Sequence, residues 1–313
     1  MNTYVVQTPA DKDTSLTEVM NVAKMRGLAD WDSIQILQGN DSSRLTNPEG
    51  ARPRVSHLEI RGGNIICGLS TFYVGYNLPF NQGRTKITLK DLTVLGLDKY
   101  EGGVVDPAYP HSTPGDVFVT CNQLLCDGVQ WGYTHNGPVG FASVSNSTIG
   151  PLQADALSSC IEMKKVLVRG VKQYRGSHPD VHQITRPDWK NMRVTITMED
   201  LDAVDLDCQF LHWSKVGENV LLNSVMTRVV CEQRRPGQVW QSRIGIPLQS
   251  IEWTDVDFGQ PLQINVPPAS RKLSFKNCIF RAGLWPKDSA VKEALNKGSW
   301  EGCAFAGGGW QPG

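Results

Sequence analysis

From Leu58 onward, apolar and polar residues alternate in short runs. Ile87-Thr88-Leu89-Lys90, Ile161-Glu162-Met163-Lys164, Ile251-Glu252-Trp253-Thr254 and Leu273-Ser274-Phe275-Lys276 each place an apolar side chain at every second position. That period belongs to a strand with one buried face. Such runs lead into a four-residue phrase: a turn-former, a small or apolar residue, a free position, then a large apolar residue. Asn277-Cys278-Ile279-Phe280, Asp207-Cys208-Gln209-Phe210 and Gly302-Cys303-Ala304-Phe305 are its clearest copies. Looser copies begin at Asp91, Asn146, Lys165, Asn223 and Asp255, and weaker ones at Gly63 and Asn122. Each unit therefore reads as a strand, a one-residue corner and a second strand.

Most steps between phrases fall between 16 and 32 residues. Short strands repeated at such a period predict a solenoid of about ten coils, because one coil cannot bury its inner face alone and stacked coils can. Like residues then stack on like, with the Cys and Phe places inward and the Asn and Asp places at the corner. A β-sandwich is the competing architecture. It requires hairpin turns, and the only Asn-Gly, Asn136-Gly137, is followed by Pro138.

The ends differ from the repeat. Ser15-Leu16-Thr17-Glu18 has capping-box spacing, and Leu16, Val19, Met20 and Val22 or Ala23 follow at helical intervals, which predicts an N-terminal capping helix ending near Gly27. Ser33-Ile34-Gln35-Ile36-Leu37 alternates as a strand, and a polar loop runs from Gln38 to Arg54. A second short helix is expected over 288–296, with Asp288 as its cap and Gly298 beyond it. The expected organisation is a cap over 1–54, the solenoid over 55–306 and a flexible tail over 307–313.

Bulk properties remove some functions. Lys+Arg and Asp+Glu both number 31, so no net positive charge draws the chain to nucleic acid. No run of 18 apolar residues is present, which argues against a membrane-spanning helix. Met1-Asn2-Thr3-Tyr4-Val5-Val6 lacks the basic and apolar regions of a secretory signal. Eight cysteines form no CxxC pair and no zinc spacing, and Cys208, Cys278 and Cys303 are expected as reduced core thiols.

The longest step, from Lys165 to Asp207, holds the densest polar group: Tyr174-Arg175-Gly176-Ser177-His178-Pro179-Asp180-Val181-His182-Gln183-Ile184, then Arg186-Pro187-Asp188-Trp189. On a strand, His178, Asp180 and His182 project from one face. Three readings compete. In a polysaccharide site, His178 or His182 is the base, Arg175 or Arg186 neutralises a sugar carboxylate, and Tyr174 and Trp189 form the platform. Hydrolysis instead requires two carboxylates about 5–10 Å apart, for which Asp180 and Asp188 are the nearest pair. A divalent cation held by His178, Asp180 and His182 is the second reading. The third is structural, with Asp180 bonding corner amides and Pro179 setting the turn. Trp131 and His135 are candidate groove-wall residues, and His212, one coil beyond the His178 stretch, is expected beside it if the coils stack in register.

The repeated units resemble the right-handed parallel β-helix proteins of the pectate-lyase-like superfamily, over roughly 55–306. The match of His178, Pro179, Asp180 and Gln183 is similar to a His-Pro-Asp-Ala-Ile-Gln phrase of bacterial and phage β-helix proteins, with Val181 and His182 in place of Ala-Ile, and Gln153-Ala154-Asp155-Ala156-Leu157 echoes it one coil earlier. The resemblance implies a polysaccharide-binding or polysaccharide-degrading protein, a lyase or glycoside hydrolase. Neither the calcium carboxylate cluster of pectate lyases nor the paired aspartates of polygalacturonases is visible. The alternative is a non-catalytic structural or adhesive protein, such as a virion or tailspike-like component, for which a homotrimer is the implied assembly.

Overall fold

The computed structural model describes residues 3–6, 32–36, 40–41, 57–62, 64–67, 72–74, 86–96, 117–119, 123–132, 134, 136–138, 140, 142–172, 178–232 and 240–313. The capping helix expected over 15–27 and the boundary expected at 54/55 lie outside them. The chain divides into two compact units, Met1–Ala154 and Asp155–Gly313. Every strand pairing among the described residues is parallel, which excludes a hairpin-built sandwich.

In the first unit, Thr3–Val6, Asp32–Ile36, His57–Arg61, Lys86–Lys90, Gln123–Asp127 and Ala142–Ile149 pair in succession. Asn40–Asp41, Asn64–Cys67, Thr93–Gly96 and Gln130–Gly132 form a second succession, which ends on the last residues of Ala142–Ile149.

In the second unit, two ladders interleave along the chain. One stacks Glu162–Arg169, Arg193–Val204, Leu221–Cys231, Leu248–Phe258, the split pair Lys272–Lys276 and Ile279–Phe280, and the split pair Ser299–Glu301 and Ala304–Phe305. The other stacks Leu157–Ser158, Asp180–Arg186, Gln209–Val216, Ser242–Ile244, Leu262–Ile264 and Leu284–Pro286. The chain visits the short ladder, then the long one, six times among the described residues. This is the arrangement of stacked parallel coils.

The corner expected from the sequence is a residue with left-handed backbone. In the second unit it is Lys165, Asp200, Arg228, Asp255, Asn277 and Gly302, with φ between 52° and 63°. In the first unit it is Gly62, Asp91, Gly128 and Asn146. Gly, Asn and Asp tolerate this conformation best. Corners also bond one another: Asn277 Nδ2 donates to Asp255 Oδ1 at 2.9 Å, and the Arg228 guanidinium grips the Asp200 carboxylate. In the first unit the phrases expected at Gly63 and Asn122 differ from the corners, which are Gly62 and Gly128. In the second unit two phrases are displaced from the corner: Asn223 lies inside a strand whose corner is Arg228, and Asp207 precedes the short-ladder strand Gln209–Val216 while the corner of the preceding long strand is Asp200. An arginine corner has no turn signature of its own, since its partner lies 28 residues earlier.

Inward residues form rows. Met163, Met198, Met226, Trp253, Phe275 and Trp300 occupy one register position. Phe275 and Trp300 stack with ring centroids 3.9 Å apart. Phe258, Phe280 and Phe305 form another row. Phe210 of the short ladder meets Phe258 of the long one at 5.3 Å, so both ladders share one interior. Each large side chain buried there contributes about 1.5–3 kcal/mol. Cys208 and Cys278 are buried, and Cys303 in the last coil is half-buried; six cysteines are free thiols among the described residues.

The second expected helix spans Ser289–Asn296, with Asp288 accepting from Val291 N. It precedes the last pair of strands and buries Val291, Ala294 and Leu295. In the tail over 307–313, Trp310 N donates to Leu284 O at 2.9 Å, and the Trp310 ring meets Trp300. Among the described residues, no helix is long and apolar enough to cross a membrane.

Candidate functional site

The densest polar cluster of the second unit forms where two consecutive coils enter the short ladder. The strand Asp180–Arg186 pairs with Gln209–Val216 so that Asp180 faces Gln209, His182 faces Leu211 and Gln183 faces His212. Parity along a strand then separates the residues. His182 joins Leu157 and Leu211 in an inward row, whereas Gln183 and His212 stand in an outward one.

His182 is therefore not a surface group. It is fully buried, and both ring nitrogens are engaged. Trp213 Nε1 donates to its Nδ1 at 2.7 Å, so its Nε2–H donates to Cys160 O at 2.8 Å. Burial pushes its pKa down to about 4, against the bond to Cys160, which keeps the ring neutral. Of the three residues expected on one face, Asp180 and His182 share a parity and are both buried, and His178 does not join them. The strand begins only at Asp180, and His178 precedes it with a half-exposed side chain.

Asp180 is completely buried, and its Oδ2 lies 3.3 Å from His178 Nδ1 and accepts from Gln183 Nε2 at 3.2 Å. Its Oδ1 has no hydrogen-bond partner among the described residues. One coil earlier, Asp155 Oδ1 accepts from Asp180 N at 3.1 Å and Oδ2 accepts from Ser158 Oγ. The echo between residues 153–157 and 178–182 is thus a stacking of equivalent positions. Burial raises the pKa of both carboxyls, and Asp155 raises Asp180 further, while the bond from Gln183 opposes it.

The neighbouring coil supplies His212, whose ring lies edge-on to His178 with centroids 4.9 Å apart. Gln209 Oε1 accepts from His212 Nδ1–H at 2.8 Å. Burial, then His178 and Arg243, lower the pKa of His212. Trp240 approaches His178 edge-on at 5.8 Å and donates from Nε1 to Asp207 Oδ1. The outward row continues past His212 to Arg243, Gln263 and Trp285, one residue per coil. Trp285 is 44 % exposed.

The other sequence candidates have different surroundings. Arg186 forms a bidentate pair with Asp188 and lies over the Trp189 ring, so its charge is already matched. Trp189 and Trp131 are buried and offer no stacking face, and Trp131 Nε1 donates to Thr134 and to Asn136 O. Tyr174, Arg175 and His135 lie outside the described residues. The sequence singles out His178, Asp180, Gln183 and His212 but not Gln209, Trp240, Arg243, Gln263 and Trp285 as site residues. Only the coil-to-coil register joins them, and His212 lies 31 residues before Arg243 along the chain.

The cluster brings imidazole nitrogens, a buried carboxyl, amides and aromatic edges together at the entry to two neighbouring strands. That set suits hydrogen bonding, proton transfer or metal ligation. No protein-family model, no characterised protein and no solved structure matches this chain.

Proposed function

We propose that the chain is a right-handed parallel β-helix of the pectate-lyase-like kind, of about ten coils, and that it binds a linear acidic polysaccharide. The observation that carries this reading is the outward row Gln183–His212–Arg243–Gln263–Trp285. It runs along the stacking direction and places one side chain about every 4.8 Å, so it spans about 19 Å. A repeating ligand is matched by a repeating surface. Arg243 supplies the cation for a sugar carboxylate and Trp285 the exposed ring for stacking on a sugar face. They take the parts that the sequence suggested for Arg186 and Trp189.

The test is binding of the full chain to a panel of uronate-containing polysaccharides, with Arg243→Ala and Trp285→Ala alongside. Retained binding by the wild type and weakening by both variants supports the reading. Binding to no polymer, or equal binding by all three proteins, sinks it. The same samples, assayed for unsaturated uronate products and new reducing ends, extend the reading to cleavage.

A second reading, a structural or adhesive component such as a virion part, is favoured by one observation: the described cysteines are free thiols, most of them buried. Such a chain folds without disulfides in a reducing compartment. A stable homotrimer by light scattering favours it, and a monomer counts against it.

A further inference from the structure

The geometry points to a binding site for a divalent transition-metal ion of the zinc class, formed by His178, Asp180 and His212. This inference goes beyond polysaccharide binding and stands or falls separately from it. The ligand atoms of the three residues lie within 4.8 Å of one another, the only such group among the described residues. His178 Nδ1 and Asp180 Oδ2 are 3.3 Å apart. Ligands about 2.0–2.1 Å from a tetrahedral ion lie about 3.3 Å from each other, so this pair already has the edge length of a zinc site. The ligand atom of His212 lies within 4.8 Å of both.

The donor set selects the metal. Two imidazoles and one carboxylate suit zinc and its neighbours, whereas calcium and magnesium require more oxygens than this cluster offers. The supporting groups are those of a metal centre. Gln209 Oε1 holds the Nδ1–H of His212, which leaves its Nε2 lone pair as the ligand. Gln183 donates to the same Asp180 oxygen that faces His178. Asp180 and Gln183 come from one strand and Gln209 and His212 from the next, in register, so the ladder fixes their spacing.

An independent observation concerns the other Asp180 oxygen. Asp180 is completely buried, and Oδ1 has no hydrogen-bond partner among the described residues. A buried acceptor in that state calls for a counter-charge, and a cation beside it supplies one. His178 is half-exposed, so the ion has a path from solvent. Three protein ligands leave a fourth position for water or an incoming ligand. His182 cannot take part, because both its nitrogens are already bonded.

The chain, stripped with a chelator, is titrated with zinc chloride by calorimetry. One equivalent is expected, with affinity reduced tenfold or more in His178→Ala and His212→Ala. Gln209→Ala is expected to weaken binding by about 10-fold, since a supporting partner typically carries 10–100-fold. Cys303→Ser tests the half-buried thiol and leaves binding unchanged. X-ray absorption of the zinc-loaded wild type requires no variant and should show nitrogen and oxygen ligands without sulfur. No zinc uptake, uptake unchanged in the His178→Ala/His212→Ala double variant, or sulfur in the first coordination sphere would overturn the assignment.

Discussion

Replacing His182 with leucine tests whether this histidine is part of the scaffold. Its neighbours in the inward row, Leu157 and Leu211, are already leucines, so the new side chain fits the pattern. The change strands two buried groups, the Trp213 Nε1–H and the Cys160 carbonyl. Each unpaired group costs about 1–3 kcal/mol. Greater apolar burial by leucine returns about 1–2 kcal/mol. The net expectation is a variant less stable by roughly 1–4 kcal/mol at neutral pH. Acid adds a second signature. The folded pKa, about 4, lies below the ordinary value of 6.5. As pH falls, the unfolded chain therefore takes up this proton first. The stability contributed by neutral His182 is complete above its unfolded pKa and is lost as pH falls toward the folded one, on the order of 3 kcal/mol in all. Leucine has no such dependence, so the gap between the proteins is widest at neutral pH and narrows on acidification. Asp155 and Asp180 titrate in the opposite sense, since their raised values lose stability as pH rises. Both proteins contain them, so their effect cancels in the difference. Urea unfolding of both proteins in chelator, at neutral pH and at about pH 5, measures the gap. A gap that stays constant with pH, or a variant as stable as the wild type at neutral pH, would refute the buried, neutral assignment.

Phe275→Ala removes a fully buried ring that stacks on Trp300 and meets Trp253 edge-on; a loss of about 3–5 kcal/mol in unfolding free energy is expected. Gly302→Ala places a methyl group 2.6 Å from Asn277 Oδ1 at a residue with φ +63°, so destabilisation of at least about 1 kcal/mol is expected in thermal unfolding. Trp285→Ala removes an exposed ring and should leave the unfolding free energy within about 0.5 kcal/mol of wild type, while polysaccharide affinity falls by roughly 10–30-fold, as for an aromatic anchor.

The repeat was readable because the physics at each corner restricts the residue. Asp91, Asn146, Asp255, Asn277 and Gly302 all stand where left-handed backbone favours Asn, Asp or Gly. Arg228 was hidden because a distant carboxylate, Asp200, holds it there. In the site, parity holds for Asp180 and His182, which both face inward, and fails for His178, because the strand begins only at Asp180. His212 was foreseen by coil stacking, but Arg243 and Trp285 require the exact register of later coils. The burial of Trp131 and Trp189 left no trace in local sequence, because a tryptophan that packs and one that stacks on a ligand have the same neighbours along the chain.

The corner ladder also separates chain length from position. Consecutive corner residues in the second unit are 22 to 35 residues apart, yet each step advances the stack by a single rung. Rung number, and not residue count, is the coordinate that the molecule conserves. Segments between corners can lengthen without disturbing the rungs above or below, which makes them natural sites for insertion and for exchange between coils. The longest step, from Lys165 to Asp200, carries the half-exposed His178 and the buried Asp180 beneath it. A graft that transfers the cluster must therefore span two steps, from Lys165 to Arg228, because Gln209 and His212 come from the second.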